Sequence, residues 1–367
     1  MTPKAQLAVA SWHEAPRREV YLCAVGARTP VGLDSASSSA AVRAGISAIT
    51  MHPLFVDKAG SSMRLASDSE LSPQVALGER LGHLLAAALA ELVQQAEWSC
   101  SGRPLPCWIG MPEPRPGVTA DVVQTCARAV VDALCTTSES VHRIHRGHAS
   151  GLMAIQVVAQ QIATGQFDLG IAAGVDSYHD SDTLDWLDQG GQLMSGSNRN
   201  GFPPGEAAGA CLLASGEAVR HHRLPVLARV AAACTAVEPH PLRSLRLCVG
   251  EGLTAAVAGA TENLRLPQNA ITATYCDING ERYRSEELAY TLLRTQTVFV
   301  NAHDYLCPAN CWGDVGAASG PLFASLAVAS RLRGYAKGAW PLLWAGGEGG
   351  YRSAVVLSLG GDQRASR

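Results

Sequence analysis

Apolar positions along the chain follow two periods, which predicts alternating strands and helices. Val20–Val25, with the sequence VYLCAV, is a β-type run that ends at the turn GARTPVG, and Ser35–Ala44 has the pattern of a helix of small residues. Apolar residues recur at helical spacing over Pro73–Gln95, and the short strand PCWIGM precedes a helix over Asp121–Leu134. This part of the chain is therefore predicted to be a series of strand and helix units.

The pattern around Gly147 is that of a strand, a turn and a buried helix. SVHRIHR is a predicted strand that leads into this glycine, and Ala149–Gly165 follows as a helix. The apolar face of this helix consists of Leu152, Ile155, Val158, Ala159 and Ile162. FDLGIAAGVDS then has the continuous apolar character of a strand that is buried on both faces. Enzymes place nucleophiles at such turns, yet the residue at this one is His148.

A second series of the same kind begins near Pro225. Its predicted elements are the strand LPVLARVAAAC, a helix over Gly250–Asn263, the strand AITATYCDING, a helix over Glu286–Arg294, the strand TVFVNAH, a helix after GDVGAASG, and the strands WPLLWAGG and SAVVLSL. The sequence thus predicts an α/β protein with an N-terminal extension, 1–19, and two related halves, 20–218 and 225–361, packed as one unit. The linker GEAVRHHRLP joins the halves.

Composition narrows the classes of function. Charged residues make up 17% of the chain, the formal net charge is -3, and lysine and arginine form no stripe, so the attraction that dominates nucleic-acid binding is missing. No segment has the apolar length needed to cross a bilayer, and the first 19 residues lack the apolar core of a signal peptide. Eleven cysteines are scattered without a CxxC pair, which indicates buried thiols in a reducing compartment. We expect a cytoplasmic protein that binds neither nucleic acid nor membrane.

Three stretches together resemble the β-ketoacyl-acyl-carrier-protein synthase branch of the thiolase fold. VGARTPVGLD resembles the family's opening strand and turn, and GHASGLMAIQVVAQQIATGQFDLGIAAGVDS resembles its nucleophile helix and the following strand. GFPPGEAAGACLLAS resembles its Gly-Phe-x-Pro-Gly-Glu-Gly-Ala-Gly strand. The resemblance runs from about Val20 to Leu359 and is weakest over residues 50–120. It implies two related α/β halves stacked as an αβαβα sandwich.

The resemblance also implies that the catalytic positions have changed. Members of the family condense an acyl chain with a malonyl group, using a cysteine that carries the acyl group and two histidines that stabilise the developing enolate oxygen. The family's Cys-Ala-Ser-Gly corresponds to His-Ala-Ser-Gly at 148–151, and its two histidines correspond to Asp277 in YCDINGE and Asp314 in WGDVGAA. Carboxylates donate hydrogen bonds only when protonated, so Cys-dependent condensation is not expected.

His148, Asp277 and Asp314 leave three hypotheses open. His148 with either aspartate would act as a general base, which would give an acyltransferase or a thioester hydrolase of altered mechanism. One histidine and two carboxylates are also a known ligand set for a divalent metal, but the rest of the shell is missing, and we expect neither a metal nor a cofactor. The favoured hypothesis holds His148 between the two carboxylates in a buried salt-bridge cluster that keeps a retired site folded.

Four further residues are candidates for substrate binding by resemblance. They are Ser150, Asn279, Gly346 and Gly347, which lie at or beside the positions of the family's site. For Ser150 the alternative role is packing or capping of the helix. The glycines keep a tight turn in WAGGEGGYRSA, where the family has a loop with an aromatic gate.

Charged and thiol groups near the replaced histidines have weaker functional signals. DINGERYRSEE would either crowd the entrance through which a pantetheine arm passes or form a surface turn with local ion pairs. Cys276 and Cys311 lie near the replaced histidines but not at a nucleophile turn, so we expect both to be core thiols.

The sequence therefore predicts a β-ketoacyl synthase-like protein that does not condense. The leading hypothesis is a binding partner of an acyl group, as acyl-CoA or on acyl-carrier protein, or a scaffold subunit; a structural accessory with a filled pocket is an alternative. An open tunnel to His148 would favour acyl binding, and a tunnel closed by DINGERYR would favour the accessory. The resemblance also implies a homodimer, or a heterodimer with a related subunit, paired near FDLGIAAG.

Overall fold

The computed structural model describes residues 10–13, 18–97, 105–196 and 198–360. Its strands are β1 (Ala10–His13), β2 (Val20–Arg28), β3 (Ile49–Val56), β4 (Ser62–Ala66), β5 (Cys107–Met111), β6 (Val141–His145), β7 (Leu169–Ser177), β8 (Glu206–Ser215), β9 (Ala228–Val237), β10 (Ala273–Cys276), β11 (Tyr305–Leu306), β12 (Pro341–Gly346) and β13 (Tyr351–Ser358). Its α-helices are α1 (Ser35–Arg43), α2 (Leu77–Gln95), α3 (Ala120–Leu134), α4 (Ser150–Ala163), α5 (Ser181–Gln189), α6 (Gly216–His222), α7 (Glu251–Thr261), α8 (Arg282–Thr295), α9 (Ala309–Trp312) and α10 (Ser319–Leu332). Within these ranges no helix is both long and apolar enough to cross a membrane.

Eleven of these strands form one mixed sheet. Its order is β11-β10-β12-β13-β9-β2-β8-β7-β5-β6, with β1 paired to β9 outside this path, and β3 and β4 form a separate hairpin. Along this path, the strands that precede residue 218 are neighbours of one another, and so are the strands that follow residue 225. The two groups of strands meet where β2 pairs with β9. The predicted division into halves at 20–218 and 225–361 stays a prediction. Of the predicted extension, residues 1–9 and 14–17 lie outside the described residues.

Two helices, α4 and α10, lie between the two ends of this sheet, and further helices cover its outer faces. α4 packs on β5, β7 and β13, while α10 packs on β8, β2 and β12, and the two helices contact each other. α2 covers β2, β8 and β7 on the outer side and carries α3, while α7 covers β9 and β13 and carries α8. The apolar face predicted for α4 is buried. α10 is buried nearly all round, as expected of a helix in an inner layer.

Glycines allow the beginnings of α4 and α10 to meet. A Cβ at Gly151 would lie 2.6 Å from the carbonyl oxygen of Ala317, and a Cβ at Gly174 would lie 2.2 Å from the same oxygen. Both distances are shorter than any real Cβ contact, so the backbones approach this closely only without side chains. The approach brings the turn before α4 next to the turn before α10, which places His148 beside Asp314.

Two sequence predictions about strands were wrong. TVFVNAH is not a strand, because Gln296–Val298 is a 3₁₀ turn and only one isolated bridge, from Phe299 to Ile271, forms. β11 instead takes the sheet edge next to β10. FDLGIAAG cannot be the pairing edge of a dimer, because β7 has β5 on one side and β8 on the other. Among the described strands β6 lies at that end of the sheet.

Candidate functional site

His148 lies in a tight turn between β6 and α4, as the sequence predicted. Gly147 adopts a left-handed backbone conformation with φ +56°, which favours glycine, and residues Gly147–Ala149 form a 3₁₀ turn that runs directly into α4. His148 is only 5% exposed. The imidazole therefore occupies a buried position at the start of a buried helix.

His148 forms a close pair with Asp314. Its Nε2 lies 2.8 Å from Oδ1 and 2.9 Å from Oδ2 of that carboxylate. Asp314 also accepts hydrogen bonds from the backbone N–H of Gly316 at 2.9 Å and from Nδ2 of Asn279 at 2.6 Å. Because the carboxylate accepts from several donors at once, its charged form is favoured and the imidazole is held in one orientation.

Arg284 separates His148 from Asp277. Its Nη1 donates to Oδ2 of Asp277 at 2.8 Å and to the carbonyl oxygen of Gly346 at 2.9 Å, and its Nε donates to Oε2 of Glu281 at 3.1 Å. Its Nη2 lies 3.3 Å from Nε2 of His148, a contact between two donors because Nε2 gives its proton to Asp314. The expectation that both aspartates hold His148 was wrong, since only one contacts it.

DINGERYR is partly buried: Arg282 is exposed and pairs with Glu286, while other residues of the stretch face the site. Asn279, Glu281 and Arg284 are all buried, and α8 begins at Arg282. Sequence reasoning placed Arg284 only within a charged stretch and missed its role as the central cation. The available signal was its helical spacing, because Arg284 lies four residues before the buried Leu288 and therefore shares its inner face.

Charge–charge interactions decide the protonation of the pair. Burial lowers the pKa of His148, and the guanidinium of Arg284 lowers it further. The charge and hydrogen bond of Asp314 and the charge of Asp277 together raise it by more, so the net shift is upward. Burial alone would raise the pKa of Asp314, yet the charge and hydrogen bond of His148 hold it well below its usual range. Burial lowers the pKa of Arg284, and the surrounding anions, Asp277 among them, raise it well above its ordinary value. His148 and Asp314 therefore keep the imidazolium–carboxylate form to a higher pH than a free histidine would, next to the Arg284–Asp277 pair.

This pair should stabilise the fold most between about pH 4 and pH 6.5, the ordinary pKa values of the two groups. The contribution of His148, whose folded pKa is raised, is complete below pH 6.5 and is lost as the pH rises through the folded value. The contribution of Asp314, whose folded pKa is lowered, is complete above pH 4 and is lost as the pH falls through the folded value. Urea unfolding of wild type and Asp314→Asn from pH 4 to 9 should therefore show a difference that shrinks above pH 6.5; a difference that grows with pH would contradict the assignment.

A cavity of about 380 Å³ reaches His148 from the outer side. Its lining residues are Glu113, Pro114, Arg115, Gly147, His148, Asp176, Tyr178, Trp186, Leu187, Pro241, Arg243, Ser244, Glu348 and Gly349. Neither Asp277 nor Asp314 lines it, and both border instead a void of about 10 Å³ on the inner side. Since Nε2 of His148 is taken by Asp314, and Nδ1 has no hydrogen bond within the described ranges, Nδ1 is the ring nitrogen left for a ligand.

The four predicted substrate-binding residues do not line this cavity. Ser150 is fully buried, and its hydroxyl lies 3.1 Å from the carbonyl oxygen of Met111 and 2.5 Å from that of Gly147. These contacts fit the alternative role of packing at the start of the helix. Asn279 is bonded to Asp314 and Glu281. The N–H of Gly346 donates to Oδ2 of Asp277 at 2.8 Å, and the N–H of Gly347 donates to the carbonyl oxygen of Tyr351 at 2.8 Å. In this structure Asn279 and Gly346 bond to the aspartates of the cluster, and substrate binding by the four residues stays a prediction.

The cluster fits neither a metal ion nor a substitute thiol nucleophile. The guanidinium of Arg284 already occupies the space between His148 and Asp277, and a second cation would have to displace it. Burial raises the pKa of both Cys276 and Cys311, and neither lines the cavity. Both cysteines are core thiols, as the sequence indicated.

Comparison with known proteins defines the class of this chain. Residues 141–218, from β6 through β8, match the family model of the β-ketoacyl synthase N-terminal domain. No curated protein sequence matches the chain. Among solved structures, the ishigamide ketosynthase/chain length factor is similar with 16% identity and a TM-score of 0.76, over 94% of this chain and 100% of that one.

Two further structures agree with this match. One chain matches from the structure of a type II polyketide synthase acyl-carrier protein in complex with its ketosynthase bound to the hexaketide. Its TM-score is 0.77 at 14% identity, over 94% of this chain and 100% of that one. The ketosynthase from module 6 of the bacillaene synthase of Bacillus subtilis 168 has a TM-score of 0.76 at 12% identity, over 94% of this chain and 72% of that one. The chain is therefore a mixed α/β protein with the thiolase fold. Within that fold it is β-ketoacyl synthase-like, which confirms the resemblance found in the sequence.

Proposed function

We propose that this chain is a non-condensing, β-ketoacyl synthase-like subunit whose cavity binds a carrier-borne acyl group beside His148. The observation that carries the proposal is the pairing of His148 with Asp314 in the position where the family has its cysteine. A nucleophile or a general base needs a free electron pair, and an imidazolium has none. Asp277 and Asp314 also accept hydrogen bonds where the family has donors, so neither residue can stabilise an enolate.

The size and position of the cavity support acyl binding more than a filled, purely structural pocket. Its volume of about 380 Å³ lies within the usual range of small-molecule sites, roughly 300–1,000 Å³. Asn279, Glu281 and Arg284 close the inner part, so a ligand can reach His148 but not the aspartates behind it. The proposed role is therefore to hold an acyl group without transforming it.

The enzymatic alternative is a thioester hydrolase or acyltransferase with His148 as base. It is favoured by one observation: Asp314 holds Nε2 and leaves Nδ1 of a cavity-lining ring without a partner among the described residues. This is the arrangement of a carboxylate that orients a catalytic imidazole. It would operate only above the raised pKa of His148, where the ring is neutral.

Intact-mass spectrometry and thiol release with acyl-CoA and acyl-carrier thioesters of several lengths test the proposal. We expect no covalent adduct and no thiol release above background at pH 7 or pH 9, and calorimetric binding of at least one chain length at both. His148→Ala should not change the rate of thiol release, because the wild-type ring takes no part in turnover. Release that rises with pH and disappears in His148→Ala would establish the hydrolase, and absence of both binding and turnover would leave a structural accessory.

We further propose that the subunit pairs along β6 with a second copy or with a related ketosynthase chain in the cytoplasm. β6 lies at the end of the sheet, and His142 and Arg143 on it are exposed. An open edge strand is a ready site for pairing with another chain. The similar structures named above include a ketosynthase/chain length factor and a ketosynthase bound to its acyl-carrier protein, which supports both kinds of partner. Gel filtration that gives a monomer at micromolar concentration would contradict self-pairing.

A further inference from the structure

The charged residues that line the cavity are neutralised by partners, with one exception. Nη2 of Arg115 donates to Oδ1 of Asp176 at 2.7 Å, and Nη2 of Arg243 donates to Oε2 of Glu348 at 3.2 Å. His148 is paired with Asp314, as described above. Glu113 is the exception, because it has no ion pair within the described residues.

Glu113 is held beside His148 by two glycine turns. The N–H of Gly349 donates to its Oε2 at 2.9 Å, and its Oε1 is buried without a hydrogen-bond partner in the described part of the chain. A Cβ at Gly147 would lie 3.1 Å from Cγ of Glu113, and a Cβ at Gly347 would lie 2.3 Å from Oε1. Both turns therefore leave room for this carboxylate, and one neutral N–H is its only hydrogen bond among the described residues.

The charge pattern of the cavity selects against an anionic ligand. The guanidinium groups of Arg115 and Arg243 are each paired through Nη2, and each also covers an aromatic ring, that of Tyr178 at 4.2 Å and that of Trp186 at 4.1 Å; Nε of Arg115 has no partner among the described residues. An anion would compete with Asp176 and Glu348 for these guanidinium groups and would also be repelled by Glu113. A cation with N–H donors would instead supply the charge and the hydrogen bonds that Glu113 lacks.

We propose that the cavity takes an acyl group that carries a primary ammonium, bound by Glu113. The inference rests on the proposed function, since it names the class of acyl group that the cavity holds. Leu187 and Pro241 provide apolar wall for a short methylene chain, and Glu113 provides the counter-charge for its end. The Glu113 carboxylate is thereby a specificity-determining residue.

Calorimetry with two matched ligands tests this proposal. Amide-linked β-alanyl-pantetheine and butyryl-pantetheine have the same number of non-hydrogen atoms and differ in whether the chain ends in ammonium or methyl. We expect the wild type to bind the β-alanyl analogue at least about tenfold more tightly at pH 7 and low salt, since a hydrogen-bonded charge pair of this kind contributes about 1.4 kcal/mol or more. Glu113→Gln should remove the preference. Glu348→Gln, the same change at a cavity carboxylate that Arg243 neutralises, should keep most of the ratio.

The outcomes separate this inference from the function on which it rests. Equal affinities for the two analogues would overturn the ammonium preference and leave acyl binding in place. A preference that survives in Glu113→Gln would overturn the assignment to Glu113. Binding of neither analogue would overturn the ammonium proposal, and the proposed function would fall with it only if no chain length of the acyl series bound. The wild-type comparison needs no variant, and its ratio should fall as salt is raised, so the proposal is testable even if Glu113→Gln does not fold.

Discussion

Arg284→Ala is expected to lower the free energy of unfolding by about 3–5 kcal/mol, because it removes one partner from a buried ion-pair cluster. The Arg284 side chain is 2% exposed and donates to Asp277, Glu281 and the carbonyl oxygen of Gly346. Without it, two carboxylates remain buried with no cation between them, and burial penalises their charged forms. Urea denaturation at pH 7 measures the loss.

Arg282→Ala provides a matched control on the same turn of α8. Arg282 is 76% exposed and forms a pair with Glu286 at 2.6 Å, four residues along the helix. Exposed pairs of this kind contribute about 0.3–0.5 kcal/mol, so the expected loss is small. A similar loss in the free energy of unfolding for the two variants would mean that Arg284 does not stabilise the buried ion-pair cluster.

Part of this site was accessible from sequence because it depends on local pattern. The apolar spacing of α4 and the small residues before it predict a buried helix behind a tight turn, and the structure confirms this. The short distance between His148 and Asp314 followed from the family resemblance, since the resemblance aligns both residues with members of one catalytic set. These predictions needed no knowledge of how distant side chains pack.

The remainder of the site depends on tertiary packing. Arg284 lies between His148 and Asp277 because α8 turns the face that carries Arg284 and Leu288 inward. Helical spacing indicates this face, but not which distant side chains the guanidinium contacts. Glu113 follows β5 in a loop, where no period relates sequence to position. Its place beside His148 is set by Gly147 and Gly347, which come from two other parts of the chain.

His148→Cys is expected to yield no condensation product from acetyl and malonyl thioesters, although it restores the family's nucleophile. Asp314 would face the introduced thiol across the space that the imidazole now fills, and this anion together with burial would raise the thiol pKa. Asp277 and Asp314 would still accept hydrogen bonds where an enolate needs donors. We therefore expect neither acylation of the introduced thiol nor condensation with the malonyl group.

Alkylation by iodoacetamide distinguishes an unreactive thiol from a lack of hydrogen-bond donors, and an exposed cysteine of the same chain serves as the reference. Cys135 is an exposed thiol, so its rate of modification, followed by peptide mass, calibrates the reagent in the same sample. We expect the introduced thiol to react at least about tenfold more slowly than Cys135, because it is buried and faces a carboxylate. Faster reaction together with acylation but no product would assign the whole defect to the missing donors at 277 and 314. A condensation product from His148→Cys alone would show that the ion-pair cluster does not abolish the chemistry, and the proposed non-condensing role would be wrong.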